Sequence, residues 1–177
     1  MNLEGLNAEG SWVKRTHADV DRLVAELRLD SVTMDELSAQ NERAAERISQ
    51  GASDDLDYAA LGYTIHNIYG VIENACFRIS KFFENGLSAD GWHKDLLNRM
   101  LLDIPGMRPA FFTRDEFVVL DDLRAFRHVF RNLYGRPLDR ERLLSLQKKT
   151  KAAIPMFKDS VERYAEFLKG LGDGIEE

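Results

Sequence analysis

The stretch that decides the fold is residues 61–83, LGYTIHNIYGVIENACFRISKFF. Its apolar side chains recur every three or four residues, which is the spacing of one face of an α-helix. The members of this stripe are Leu61, Ile65, Ile68, Ile72, Cys76, Ile79 and Phe83. A stripe sustained over about six turns predicts a central helix that is buried against other helices.

The sequence upstream of this stretch also has helical patterns. Apolar residues within residues 11–29 fall roughly on one side of a helix. Thr33 and Glu36 have the spacing of a capping box, which predicts that a helix starts or restarts there and ends at Gly51. This second segment is strongly charged, so we expect an outer helix with only a narrow buried stripe.

The central helix is predicted to begin after a cap at Ser53 and to end near Glu84. A shorter helix is expected within residues 92–102, before Pro105 and Gly106 break the chain. No long alternation of apolar and polar residues is present, so no strand is predicted.

Two further helices complete the predicted bundle. Thr113 with Glu116 forms a second capping box, and the helix that it starts is predicted to run to Tyr134. Asp139 opens a last helix to about residue 171, which Pro155 should kink or split. The sequence therefore predicts an all-α fold, an antiparallel bundle of four or five helices.

Length and composition narrow the class of protein. The 177 residues suit one domain, so we interpret residues 1–177 as a single helical domain, with acidic N-terminal helices in residues 1–52 and the core in residues 53–171. Cys76 is the only cysteine, which excludes an internal disulfide and fits a reducing compartment. The N-terminus lacks the pattern of a secretory signal and no apolar run is long enough to span a bilayer. We expect a cytoplasmic protein without a membrane anchor, a metal or a cofactor.

Charge is unevenly distributed along this acidic chain, whose net charge is −6. Residues 1–62 hold 13 acidic and 6 basic residues, whereas residues 124–151 hold 9 basic and 2 acidic residues. A local cationic surface can attract phosphate even when the whole molecule is acidic. The alternative is a solvated helix face without a ligand.

The basic block begins on the predicted fourth helix. Helical geometry gathers its apolar residues on one face and places the basic residues Arg124, Arg127 and Arg131, with Tyr134, along the shoulder of that face. The same geometry places His128 and Asn132 further round the helix, beyond the arginines and away from the buried face. Like charges three or four residues apart repel, so we expect a bound anion such as phosphate to lie among them. The alternative is a structural ion-pair network, with Glu73 or the acidic N-terminal helices as partners of the arginines.

The segment Arg127–Tyr134, RHVFRNLY, resembles the signature of HEPN proteins, especially the HepT-like group. In that signature an arginine is followed, after four residues, by a histidine and, two positions later, by a tyrosine. The resemblance covers about residues 56–170 and includes four residues of the central helix: His66, Tyr69, Glu73 and Arg78.

The resemblance implies an antiparallel bundle that forms homodimers, in which the two signature helices make a composite RNA-cleaving site. It also implies a small nucleotidyltransferase as the cognate antitoxin, which can adenylylate the motif tyrosine. By position, Arg127 is the motif arginine and Tyr134 the modification candidate, whereas Asn132 replaces the motif histidine. Because an amide cannot act as a general acid or base near neutral pH, His128 is the nearby histidine that could serve instead.

Two functions follow as expectations. The first is an RNA-binding component of a toxin–antitoxin system, with metal-independent ribonuclease activity. Its catalytic candidates are Arg127, Asn132, Tyr134 and His128, its phosphate-binding candidates are Arg124 and Arg131, and its supporting residues are Glu73 and Tyr69. The alternative is a non-catalytic helical interaction module, an antitoxin or partner-binding protein whose acidic first helices form the contact surface.

Overall fold

Five helices and one short hairpin make up the fold in a computed structural model, which describes residues 4–6, 12–84, 92–132 and 138–174. The helices are α1 (His17–Ser49), α2 (Asp55–Phe83), α3 (Trp92–Arg99), α4 (Arg114–Arg131) and α5 (Arg140–Gly172). The strands β1 (Glu4–Leu6) and β2 (Trp12–Lys14) pair antiparallel. The predicted all-α bundle is confirmed, whereas the expectation that no strand exists is wrong for this three-residue pair.

Helix α2 lies at the centre and contacts each of the other four helices. Contacts between side chains give the directions of the long helices. Arg47 near the end of α1 pairs with Asp57 at the start of α2, so these helices run antiparallel. Arg140 at the start of α5 pairs with Asp55, so α5 runs parallel to α2. Helix α4 runs antiparallel to α2, as the contacts described below show, and it also runs antiparallel to α5, because Glu116 near its start accepts from Ser160 in the second half of α5 at 3.4 Å.

The predicted apolar stripe of α2 is confirmed as the middle of the core. All seven of its members are buried, and six are at most 1% exposed. Burying one such side chain contributes about 1.5–3 kcal/mol relative to leaving it in water. Cys76 belongs to this core, and burial raises the pKa of its thiol well above the usual range. A shielded, protonated thiol is a poor nucleophile.

The predicted break within the first helical region is wrong. Helix α1 is continuous, and its capping box consists of Thr16 and Asp19. Thr33 lies inside the helix, where its hydroxyl donates to the carbonyl oxygen of Leu29 at 3.0 Å. A hydroxyl bonded to the preceding turn leaves the helix intact. The predicted end is confirmed, because Gly51 follows the helix with a φ of 101°.

Two other helix boundaries, and the effect of Pro155 within α5, differ from the prediction. Helix α2 is capped by Asp54 rather than Ser53. Helix α4 begins at the predicted capping box but ends at Arg131, three residues early. Helix α5 begins after Asp139 as predicted and is not split by Pro155. Pro155 is exposed, so water can solvate the carbonyl that the missing N–H leaves without a donor.

A buried arginine organises the turn between α3 and α4. The side chain of Arg108 is fully buried, and its Nε and Nη2 donate to Glu84 at 2.9 and 2.5 Å. Its other N–H groups donate to the carbonyl oxygens of Arg99, Leu102 and Pro109. These bonds tie the turn to the end of α2. Across the helices that the structure describes, none combines the length and apolarity needed to cross a membrane.

Candidate functional site: a cationic pocket between α2 and α4

A pocket of about 380 Å³ opens between α2 and α4. Among the described residues, those that line it are Tyr69, Glu73, Arg124, Arg127, His128, Arg131 and Asn132. The structure thus brings together seven of the eight site residues predicted from the sequence. The eighth, Tyr134, lies outside the described residues. No described lining residue was missing from the predicted set.

Close packing of α4 on α2 creates the pocket. Leu123 and Phe126 are buried in the core, as predicted. One turn further on, the ring of Phe130 lies over Gly62, where an added Cβ would come within 2.8 Å of the ring. The same ring packs against His66, with 5.4 Å between the ring centroids. The glycine lets the two helices approach closely at this end, which brings the arginines of α4 to the polar side chains of α2.

Arg127 forms the inner wall of the pocket. Its Nη2 lies 2.8 Å from Oε2 of Glu73, whose side chain is only 5% exposed. The predicted structural alternative is therefore correct for this pair. The guanidinium is not saturated, however, because its buried Nε has no hydrogen-bond acceptor within the described part of the chain. An unmet buried donor is costly, and an acceptor in the pocket would relieve that cost.

The other two arginines lie nearer the surface. Nε of Arg124 donates to Asp121 on the same helix at 2.6 Å. Arg131 is exposed, and among the described residues it has no ion-pair or hydrogen-bond partner. The three guanidinium groups thus face two pairing carboxylates, which leaves a local excess of positive charge. This arrangement favours an anion with about one negative charge.

Tyr69 supplies a neutral donor to the pocket. The residue is 2% exposed, and burial raises the pKa of its hydroxyl well above the usual range, although Arg124 and Arg127 oppose the shift. The phenol therefore stays protonated at any physiological pH. A protonated hydroxyl beside guanidinium groups can donate a hydrogen bond to a phosphate oxygen.

The end of α4 differs from the predicted geometry. Asn132 is the C-cap of the helix, and its side-chain amide donates to the carbonyl oxygen of His128 at 2.8 Å. Both His128 and Asn132 line the pocket although the rotation placed them on another face.

Two of the residues on which the family resemblance rests, Arg78 and His66, do not line the pocket. Arg78 points to the opposite flank of α2, where it pairs with Asp30 at 2.5 Å and Glu26 at 3.6 Å. His66 packs against Phe130 instead of lining the pocket. Within the described part of the chain, no cluster of histidine, cysteine or carboxylate side chains is suited to hold a metal ion.

Comparison with known proteins gives one match. The sequence model of the family described as "HepT-like protein" matches residues 60–168, which is more than half of the chain. The match includes nearly all of α2, all of α4 and every lining residue of the pocket, and it leaves out α1. No curated protein and no solved structure matches the chain.

Proposed function

Since the chain belongs to the HepT-like protein family, we propose that it is the HEPN-type component of a toxin–antitoxin pair and that its cationic pocket binds an RNA phosphodiester. The observation that carries this proposal is Arg131, which is exposed and has no partner among the described residues, beside Arg127, whose buried Nε has no acceptor in the same part of the chain. Guanidinium groups bind phosphate through paired hydrogen bonds. The single negative charge of a phosphodiester matches the local excess of positive charge.

The same arrangement supports metal-independent cleavage. In such a reaction the ribose 2′-hydroxyl attacks the adjacent phosphorus, and the bond to the 5′-oxygen breaks. His128 would accept the proton from the 2′-hydroxyl and return a proton to the leaving 5′-oxygen, which yields a cyclic phosphate and a 5′-hydroxyl. Arg127 and Arg131 would stabilise the charge that develops on the phosphoryl oxygens. Asn132 and Tyr69 would act as hydrogen-bonding groups that orient the phosphate.

A cleavage assay tests this proposal directly. We expect wild-type protein to cleave single-stranded RNA in the presence of EDTA, and we expect Arg127→Ala, Arg131→Ala and His128→Gln each to lower the rate at least tenfold. Arg114→Ala is the matched control, because Arg114 is exposed on the same helix and does not line the pocket. Activity that requires added metal, or that survives both arginine substitutions, would contradict the proposal.

The family also supports a proposal about regulation and assembly. We expect a homodimer in the cytoplasm, with a small nucleotidyltransferase as the antitoxin and Tyr134 as the residue that it adenylylates. Co-expression with a neighbouring nucleotidyltransferase should raise the intact mass of the chain by whole adenylyl units, and Tyr134→Phe should remove the shift. An unchanged wild-type mass, or a shift that persists in Tyr134→Phe, would refute this assignment.

Two observations favour the alternative of a non-catalytic interaction module. Arg124 and Arg127 already pair with carboxylates, and Asn132 stands in place of a histidine and uses its amide to cap a helix. Such a protein would bind its partner with undiminished affinity after Arg127→Ala and would cleave no RNA. Titration calorimetry with the nucleotidyltransferase, beside the cleavage assay, separates the two functions.

A further inference from the structure

A second pocket, of about 490 Å³, opens on the opposite flank of α2, where the last turns of this helix meet the start of α1. Among the described residues, those that line it are Arg15, Asp19, Arg22, Leu23 and Glu26, with Arg78, Lys81 and Phe82 of α2. Four of these side chains are cations and two are carboxylates. Cations gathered around one pocket repel each other, so their presence there needs an explanation.

Arg15 is anchored to the end of α2. Its Nε and Nη2 donate to the carbonyl oxygen of Phe82 at 3.1 and 2.9 Å, and Nη2 also donates to that of Lys81 at 3.3 Å. The guanidinium lies over the Phe82 ring, 5.0 Å from its centroid. A cation at this place is favourable, because the last carbonyl groups of a helix carry partial negative charge. These contacts fix the side chain and leave its Nη1 without an acceptor among the described residues.

Arg78 and Lys81 bring further donors to the same pocket. Nη1 of Arg78 donates to Asp30 at 2.5 Å and its Nε lies 3.6 Å from Glu26, so its Nη2 has no acceptor in the described part of the chain. Lys81 is exposed, and no described residue pairs with its ammonium group. Even with Asp30 counted, four cations around the pocket face three carboxylates. The pocket thus keeps an excess of positive charge and three cations with N–H groups to spare.

We propose that this pocket binds a small phosphate monoester. The phosphoryl group of a monoester has three strong acceptor oxygens and a charge of about −1.5 to −2 near neutral pH. Three acceptor oxygens match the spare donors of Arg15, Arg78 and Lys81, and guanidinium groups suit phosphate oxygens particularly well. A phosphodiester has only two such oxygens and one charge, so it satisfies these donors less fully.

The rest of the lining favours a small organic ligand over a nucleic acid strand. Leu23 and Phe82 add apolar surface beside the cations, which an organic group on the phosphate can contact. The volume of the pocket falls in the range of small-molecule sites. Asp19 and Glu26 also line it, and their carboxylates would repel the successive phosphates of an RNA strand. The site is separate from the pocket between α2 and α4, and the inference does not depend on the proposed function.

Titration calorimetry at low salt tests the inference, with phenyl phosphate as the probe. We expect phenyl phosphate to bind, inorganic phosphate to bind more weakly, and phenol to give no detectable heat. Lys81→Gln should weaken the binding of phenyl phosphate at least threefold, because it removes one of the donors. Glu26→Gln should strengthen it at least twofold, because it removes a carboxylate that competes with the ligand for Arg78.

Two control variants make the same changes of charge elsewhere. Lys151→Gln and Glu166→Gln should leave the affinity unchanged, since both residues are exposed on α5 and line neither pocket. Arg131→Ala should also leave it unchanged. The inference is overturned if neither phosphate binds, if phenol binds as well as phenyl phosphate, or if the pocket variants differ no more from wild type than the controls do. Binding that Arg131→Ala removes and Lys81→Gln retains belongs to the pocket between α2 and α4, and it overturns the inference too.

The RNA-cleavage assay separates the two proposals. Lys81→Gln should cleave RNA at the rate of the wild type, because Lys81 does not line the pocket between α2 and α4. A wild-type protein that binds phenyl phosphate as expected but does not cleave RNA would refute the proposed function and leave this inference standing.

Discussion

Glu73 of α2 and Glu84, the C-cap of the same helix, each pair with an arginine from a later part of the chain, and the two pairs differ in how many N–H groups of the arginine have an acceptor. Arg108 is completely buried, and its side-chain N–H groups donate to Glu84 and to three carbonyl oxygens. Arg127 pairs with Glu73, keeps an unmet Nε–H and opens on a pocket. A saturated guanidinium holds structure together, whereas an unsaturated one beside a cavity is available to a ligand.

The largest expected effect on stability concerns the pair of Arg108 and Glu84, in which the guanidinium is saturated. Arg108→Met should lower the free energy of unfolding by about 3–5 kcal/mol, because it removes the cation from a buried carboxylate and leaves buried carbonyl groups without donors. Arg99→Met is the control, since Arg99 also pairs with Glu84 but is partly exposed. Urea unfolding measures both. A loss for Arg108→Met no larger than that for Arg99→Met would show that Arg108 does not hold the turn.

The corresponding substitution in the pocket, Arg127→Met, should have a smaller effect on stability and a larger effect on RNA binding. Arg127→Met should cost about 2 kcal/mol of stability, less than Arg108→Met, because water in the pocket can solvate the carboxylate of Glu73. It should nevertheless remove RNA binding, as measured by fluorescence anisotropy at low salt, while Arg99→Met retains it. Equal stability losses for the two variants, with RNA binding intact, would contradict the distinction between the two pairs.

The difference between the pairs also explains what could be predicted from the sequence. Spacing within one helix predicted that the arginines of the pocket lie together, whereas the resemblance to the HEPN signature supplied His128, Asn132 and Tyr69 as site residues. The contacts of Arg108 come from the end of α2, the end of α3 and its own turn, and no local pattern brings these segments together. The end of α4 at Arg131 was missed for a related reason, because helical spacing continues in the sequence beyond the point where the helix stops.

A third arginine–carboxylate pair, Arg78 with Asp30, lies on the other flank of α2. Burial raises the pKa of Asp30 to about 6, against the opposing effect of Arg78. The folded chain therefore holds this proton more tightly than the unfolded chain, whose Asp pKa is about 4. The resulting stabilisation is complete below pH 4 and is lost as the pH rises through 6.

The corresponding measurement is urea unfolding of wild type and Asp30→Asn between pH 4 and pH 7.5. The stability of wild type relative to Asp30→Asn should fall by about 2 kcal/mol over this range. Titrations of other groups are common to both proteins and cancel in the difference. A difference that stays constant, or that grows with pH, would show that pairing with Arg78 outweighs burial at this carboxylate.

The smallest expected effect concerns the contact that positions the pocket. At Gly62 an added Cβ would lie 2.8 Å from the Phe130 ring and 3.3 Å from Leu138, so Gly62→Ala must displace the ring. Alanine favours the helix by about 1 kcal/mol, which offsets much of this strain. We therefore expect a net loss of about 0.5 kcal/mol, with a larger fractional loss of RNA affinity because α4 shifts over Glu73. Gly170→Ala, where the added Cβ meets no atom of the described residues within 4 Å, should stabilise the protein and leave RNA binding unchanged. If both variants gain stability and bind RNA equally well, the spacing of α2 and α4 tolerates change, and the arginines of α4 do not depend on this close approach.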